Sequence, residues 1–102
     1  MTLAQQKEKD DSVNKKRTRT EVISDILRVI QEKNGKIKPT HLMYKANLSH
    51  KSMKLYLNQL LKNSLLKKIF IGDKMLYEIT QKGRDFYIQY SKIREFEKTF
   101  GL

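Results

Sequence analysis

Apolar residues recur at helical spacing in the first third of this chain, where Val22, Ile23, Ile26, Leu27 and Ile30 share one face of a 3.6-residue repeat. Thr18 and Glu21 head that stripe at the spacing of a capping box, and Gly35 offers a stop, so a helix is expected from Thr18 to about Asn34. Pro39 cannot continue a preceding helix and Thr40 can cap a following one, which predicts a short second helix to Ala46. Asn47-Leu48 reads as a tight turn. Ser49 then caps a third helix to about Lys62, with Met53, Tyr56, Leu57, Leu60 and Leu61 turned inward. After Asn63-Ser64 the pattern changes: Leu65–Ile71 and Met75–Ile79 are rich in branched and aromatic residues and flank Gly72-Asp73-Lys74, a hairpin signal. Thr80 introduces a final helix to about Thr99.

Helix, helix, helix, hairpin, helix is the order of a winged helix-turn-helix, mainly α with a small β-hairpin. The expected organisation is a disordered basic arm over 1–17, a winged helix-turn-helix over 18–83 and a C-terminal dimerisation helix over 84–102. The arm holds little to bury and ends in Lys15-Lys16-Arg17, with Arg19 close behind. At 102 residues the chain can form one modest core but not a deep enzyme cleft as well.

Charge sharpens the picture. From Lys33 to Gly72 the chain has nine lysines and no aspartate or glutamate, within a formal net charge of +11. A solvated surface mixes both signs, so a one-signed face laid on a helix-turn-helix implies a polyanionic partner, nucleic acid above all. Membrane association is the rival explanation for excess lysine. No apolar run approaches the roughly 20 residues of a span, and Met1–Asn14 is too polar for a signal peptide or an amphipathic anchor. The absence of cysteine excludes disulfides and thiolate metal sites and suits a reducing compartment, here the cytoplasm and its nucleoid.

Three segments are recognisable together: Leu42-Met43-Tyr44-Lys45-Ala46-Asn47-Leu48-Ser49, then Tyr56-Leu57 with Leu60-Leu61, then Tyr77 with Ile79-Thr80 and Lys82-Gly83. Over roughly residues 20–98 the chain resembles archaeal winged-helix DNA-binding proteins, including the ten-kilodalton basic nucleoid proteins of that group. The resemblance implies a third helix that docks on DNA, a hairpin that serves as the wing, and a last helix that pairs two subunits in an antiparallel coiled coil. The chain departs from that pattern in its rather short last helix and its longer polar arm.

The outward side of the third helix carries Lys51, Lys54, Leu55, Asn58 and Lys62, with Ser49, His50 and Ser52 near its N-terminus, where hydroxyls and free N–H groups suit phosphate. Asn58 is the amide able to read adenine, and Leu55 is either a thymine-methyl contact, a hairpin contact or plain surface. Tyr44 and Lys45 of the second helix are backbone contacts, unless Tyr44 covers a neighbouring helix. In the wing, Lys74 and Lys67 or Lys68 face a flanking groove, against which Asp73 counts. All five arginines (Arg17, Arg19, Arg28, Arg84 and Arg94) lie off the third helix, so phosphate neutralisation outweighs base reading.

In the last helix Phe86, Tyr90, Ile93, Glu97 and Phe100 keep heptad spacing, and Tyr87, Ile88 and Phe96 widen the apolar surface, which implies a homodimer. His41 and His50 lack metal-ligand spacing to other donors, and no nucleophile has a placed base, so neither a cofactor nor an enzyme is expected. Two other readings stay open: a protein-interaction subunit of a larger assembly, and an RNA-binding module.

Overall fold

The computed structural model describes residues 17–102. In order, these form α1 (Arg19–Glu32), β1 (Lys36–Ile37), α2 (Pro39–Lys45), α3 (His50–Lys62), β2 (Leu66–Ile71), β3 (Lys74–Ile79) and α4 (Gln81–Thr99). The expected arm over 1–17 lies outside the described residues except for Arg17.

The capping box at α1 is formed: the Thr18 hydroxyl accepts from the Glu21 amide, and the Glu21 carboxylate accepts from the Thr18 amide. All four described helices end alike. The residue after each C-cap (Asn34, Asn47, Ser64 and Gly101) has φ between 55 and 72°. In each case the next amide reaches back five residues, as in Gly35 to Ile30 and Leu65 to Leu60. These are Schellman closures. α1 therefore stops at Glu32 rather than Asn34, with Asn34 itself in the left-handed position assigned to Gly35. The expectation for α2 also needs correction: Pro39 is its first residue and Lys38 its cap, with no side-chain bond, while Thr40 lies inside the helix. Proline's preset φ and missing N–H fit that first position.

Two residues that gave no strand signal, Lys36 and Ile37, pair with Glu78 and Tyr77 and make the sheet three-stranded, in the order β1-β3-β2. The hairpin turn is two residues, Gly72-Asp73, because Lys74 already pairs with Ile71 as a strand residue. Gly72 takes φ 66°, the left-handed conformation that glycine allows at the first turn position.

The core is a single cluster in which Ile26, Leu27 and Ile30 of α1 meet Leu42, Leu57 and Leu60 of the helix-turn-helix and Ile37, Leu66, Tyr77 and Ile79 of the sheet. α4 leans on this cluster with its first turns only, through Phe86 and Tyr87. Gly83 is its buried residue. A Cβ there would overlap the Leu65 carbonyl oxygen and sit 2.8 Å from Ile79 Cγ1, so the helix crosses the hairpin base by having no side chain at that point. The Thr80 hydroxyl secures the crossing by accepting from the Gly83 amide at 3.0 Å and donating to the Ser64 carbonyl at 2.7 Å.

Candidate nucleic-acid interface

α3 buries Met53, Leu57 and Leu60, which turns the positions between them outward. Lys51, Lys54, Leu55, Asn58 and Lys62 are all exposed, as the helical repeat requires. Leu55 is 60% exposed, so most of its side chain faces solvent. At the head of α3 the Ser49 hydroxyl accepts from the Ser52 amide at 3.1 Å, which occupies it as a cap, while His50 stands exposed beside it. On α2, Tyr44 is 83% exposed and covers no neighbour, and Lys45 is exposed next to it.

The wing separates its lysines by face. Side chains alternate across a strand, and Lys67, Glu78 and Lys36 stand directly opposite one another on three adjacent strands. Glu78 reaches Lys36 Nζ at 3.6 Å and Lys67 Nζ at 3.5 Å. Lys68 lies on the other face, opposite Tyr77, and Lys74 starts β3 at the tip. Among the described residues no carboxylate lies within 4.0 Å of Lys45, Lys51, Lys54, Lys62, Lys68 or Lys74, whereas Lys36 and Lys67 are paired. Among the described residues the α3 lysines and Lys68 thus have no carboxylate partner, and the one carboxylate of the sheet, Glu78, is engaged on the face away from Lys68.

Thr40 and Met43 of α2, His50, Lys54 and Asn58 of α3 and Tyr77 of the sheet line a groove of about 200 Å³ beside the outward positions of α3. Burial pushes the Tyr77 phenol above its ordinary pKa.

Arg17 and Arg19, which the sequence pattern puts at the end of a free basic arm, instead make contacts across the fold. Arg17 donates to Asp25 at 2.9 Å, to the Ala46 carbonyl at 3.3 Å and to the Asn47 carbonyl at 3.2 Å, so it ties the start of α1 to the turn of the helix-turn-helix. Arg19 donates to the Gln59 side chain at 2.8 and 3.1 Å, from α1 to α3. No local pattern marked either contact, since both span some 30 to 40 residues.

The proposed dimer row divides on the surface of α4. Phe86 and Tyr90 stack, and Tyr90 accepts from Arg94, which also meets Glu21 of α1 at 2.9 Å. Thr18 and Arg94 together hold the Glu21 carboxyl below the usual carboxylate range. Glu97, half-buried, lies 3.9 Å from Arg94. Ile93, Phe96 and Phe100 remain 57, 61 and 65% exposed, with the Phe96 and Phe100 rings 4.8 Å apart. Among the described residues no group of acidic or histidine side chains could hold a metal ion, and no helix is long and apolar enough to cross a membrane.

A family model for winged helix-turn-helix proteins matches residues 16–98. An uncharacterised protein of Methanocaldococcus jannaschii is 36% identical over 72 residues, covering 71% of this chain and 68% of that one. Among solved structures, Sso10a-2, a DNA-binding protein from Sulfolobus solfataricus, superposes with a TM-score of 0.71 at 27% identity over 82% of this chain and 85% of that one. A winged-helix DNA-binding protein from STIV gives a TM-score of 0.68 at 17% identity, over 82% of this chain and 95% of that one. MarR from E. coli gives 0.64 at 15%, over 78% of this chain and 62% of that one. The last two likenesses speak to fold alone.

Proposed function

Since this chain belongs to the winged helix-turn-helix family, we propose that it is a homodimeric binder of double-stranded DNA that grips phosphates with α3, α2 and the wing. The observation that carries this reading is a set of six exposed lysines without carboxylate partners among the described residues, four of them on the two helices that also present Tyr44 and Asn58, one on the Tyr77 face of the wing and one at its tip. Lys45, Lys51, Lys54, Lys62, Lys68 and Lys74 act as point charges on phosphate oxygens. His50 and Ser52 add contacts at the N-terminus of α3, where free amides and the helix dipole favour an anion. Asn58 and Leu55 supply what base reading there is.

Lysine without arginine on this face favours phosphate neutralisation over guanine recognition, which leans toward a nucleoid-associated architectural role rather than a regulator of one site. The DNA-binding description of Sso10a-2 supports the same class of partner. Dimerisation rests on Ile93, Phe96 and Phe100, an apolar row that the monomer leaves exposed. The rival reading, a protein-interaction subunit, rests on that same row and needs no lysine face.

Binding to random duplex across a salt series tests the proposal. With about four of these six lysines on phosphates at once in each subunit, a dimer has a slope of log K against log salt near −7. Replacing Lys51 and Lys54 by alanine flattens it by about two units per subunit. Salt-independent binding, or none, returns the function to protein partners, and preference for an RNA competitor moves it to RNA. A footprint on genomic fragments then separates the roles, uniform coverage indicating architecture and discrete sites regulation.

A further inference from the structure

We propose that the wing is a DNA wedge: Phe70 enters the minor groove next to the recognition helix and opens a base step, so that binding bends the duplex. This rests on the α2–α3 face being the duplex-binding surface.

The strand register places Phe70. Leu66, Lys68 and Phe70 alternate onto one face of β2, opposite Ile79, Tyr77 and Met75 of β3. The inner end of that face is core, since Leu66, Ile79 and Tyr77 are buried, and Tyr77 shares its groove with Lys54 and Asn58 of α3. Moving outward along the same face leads past Lys68 to Phe70. The aromatic ring therefore projects on the side of the sheet that holds the recognition helix. Phe70 is 70% exposed and Ile71 58%, beyond the reach of the core.

Reach and charge both fit a groove. The hairpin extends roughly 10 Å beyond Tyr77 at strand rise, the same order as the offset between a major groove and the minor groove beside it, half of a turn of about 34 Å. Lys68 on the ring's own face and Lys74 at the tip supply two cations without carboxylate partners among the described residues, against the single carboxylate of Asp73. Glu78 points to the other face and is engaged by Lys36 and Lys67. An exposed aromatic with one cation on its own face and a second at the strand tip is what a groove-inserted wedge requires, because phosphates flank the groove and the stacked bases are its apolar floor. Flexible steps such as TA open at least cost and are the preferred point of entry.

The test uses the full chain on an end-labelled duplex with a central TA step carrying 2-aminopurine. Wild-type protein should bend the duplex by an angle in the range of roughly 20–90°, read by energy transfer, with a rise in 2-aminopurine emission. Phe70→Ala should abolish both signals and weaken binding about tenfold, a loss of the size that base–aromatic contacts carry, with the salt slope intact. Phe70→Leu should keep most of the bend. Melting curves of both variants should match wild type, since the ring lies outside the core. A straight wild-type complex, or an unchanged bend in Phe70→Ala, overturns the wedge. So does a Phe70→Ala variant that loses self-association in sedimentation while its bend persists, which makes the tip a protein contact. Salt-dependent binding without bending sinks the wedge alone, whereas failure to bind any duplex sinks the underlying reading.

Discussion

Gly83 shows how much one hydrogen atom decides in this fold. Any Cβ there meets the Leu65 carbonyl, which already accepts from the Thr80 amide at 3.2 Å. Gly83→Ala should gain about 1 kcal/mol of helix propensity and lose more to overpacking against backbone. A net destabilisation of about 2 kcal/mol is expected, a fall in melting temperature on the order of 10 °C. An unchanged melting curve would mean that α4 can slide on the hairpin without cost. Asn58→Ala tests function instead: it should cost about 1–3 kcal/mol on an adenine-containing site if the amide reads a base, and almost nothing on random duplex. Equal losses on both would make Asn58 a backbone contact. The outward set on α3 was legible in the sequence because a wheel with Met53, Leu57 and Leu60 inside leaves no freedom for Lys51, Lys54 and Asn58. The roles of Arg17 and Arg19 were not legible, because their partners lie in other elements and nothing local reports a contact across the fold.

Element boundaries follow from capping chemistry more than from hydrophobic period. The Thr18–Glu21 box and the Ser49 cap were readable because donor and acceptor sit three residues apart. The helix ends were readable only in part, since three of the four left-handed positions are Asn or Ser rather than Gly. β1 left no trace because two residues cannot show a period of two; its pairing comes from Glu78 and Tyr77, some 40 positions away. The sequence marks Phe70 as a strand residue and not as a surface one, because hairpin composition does not say where the core stops.

At α1 the Glu21 carboxyl joins the Thr18 cap to Arg94 of α4. Its pKa is lowered in the folded chain, first by the Thr18 amide and then by Arg94. The unfolded chain therefore takes up its proton at higher pH than the folded one. The stabilisation is present above the ordinary carboxylate pKa of about 4.3 and is lost as pH falls through the lower folded value. Glu21→Gln should accordingly reduce the acid dependence of the melting temperature below about pH 5, while Glu95→Gln, which carries no such bonds, serves as control. Equal slopes in the two variants would remove Glu21 from the acid response.

At the scale of the whole molecule, the outer half of α4 is an apolar surface that the described residues leave uncovered. The first turns close the core through Phe86 and Tyr87, but from Ile93 onward the apolar side chains face solvent, with Leu102 at 85% exposure completing the series. Within the monomer, Tyr90 and Glu97 are turned toward Arg94, so a seam between two copies would run through Ile93, Phe96 and Phe100. Ile93→Lys places an ammonium in that seam, where an unpaired buried charge costs several kcal/mol. The same lysine costs the isolated subunit little, because Ile93 is already 57% exposed there. The variant should therefore sediment as a monomer with wild-type circular dichroism. Two linked DNA contacts then become independent, and the loss of shared effective concentration should weaken duplex binding by 10²-fold or more and roughly halve the salt slope. A folded variant that remains dimeric would place the interface elsewhere. A monomer that binds DNA as tightly as wild type would show that each winged helix works alone, leaving the exposed row of α4 to a different protein.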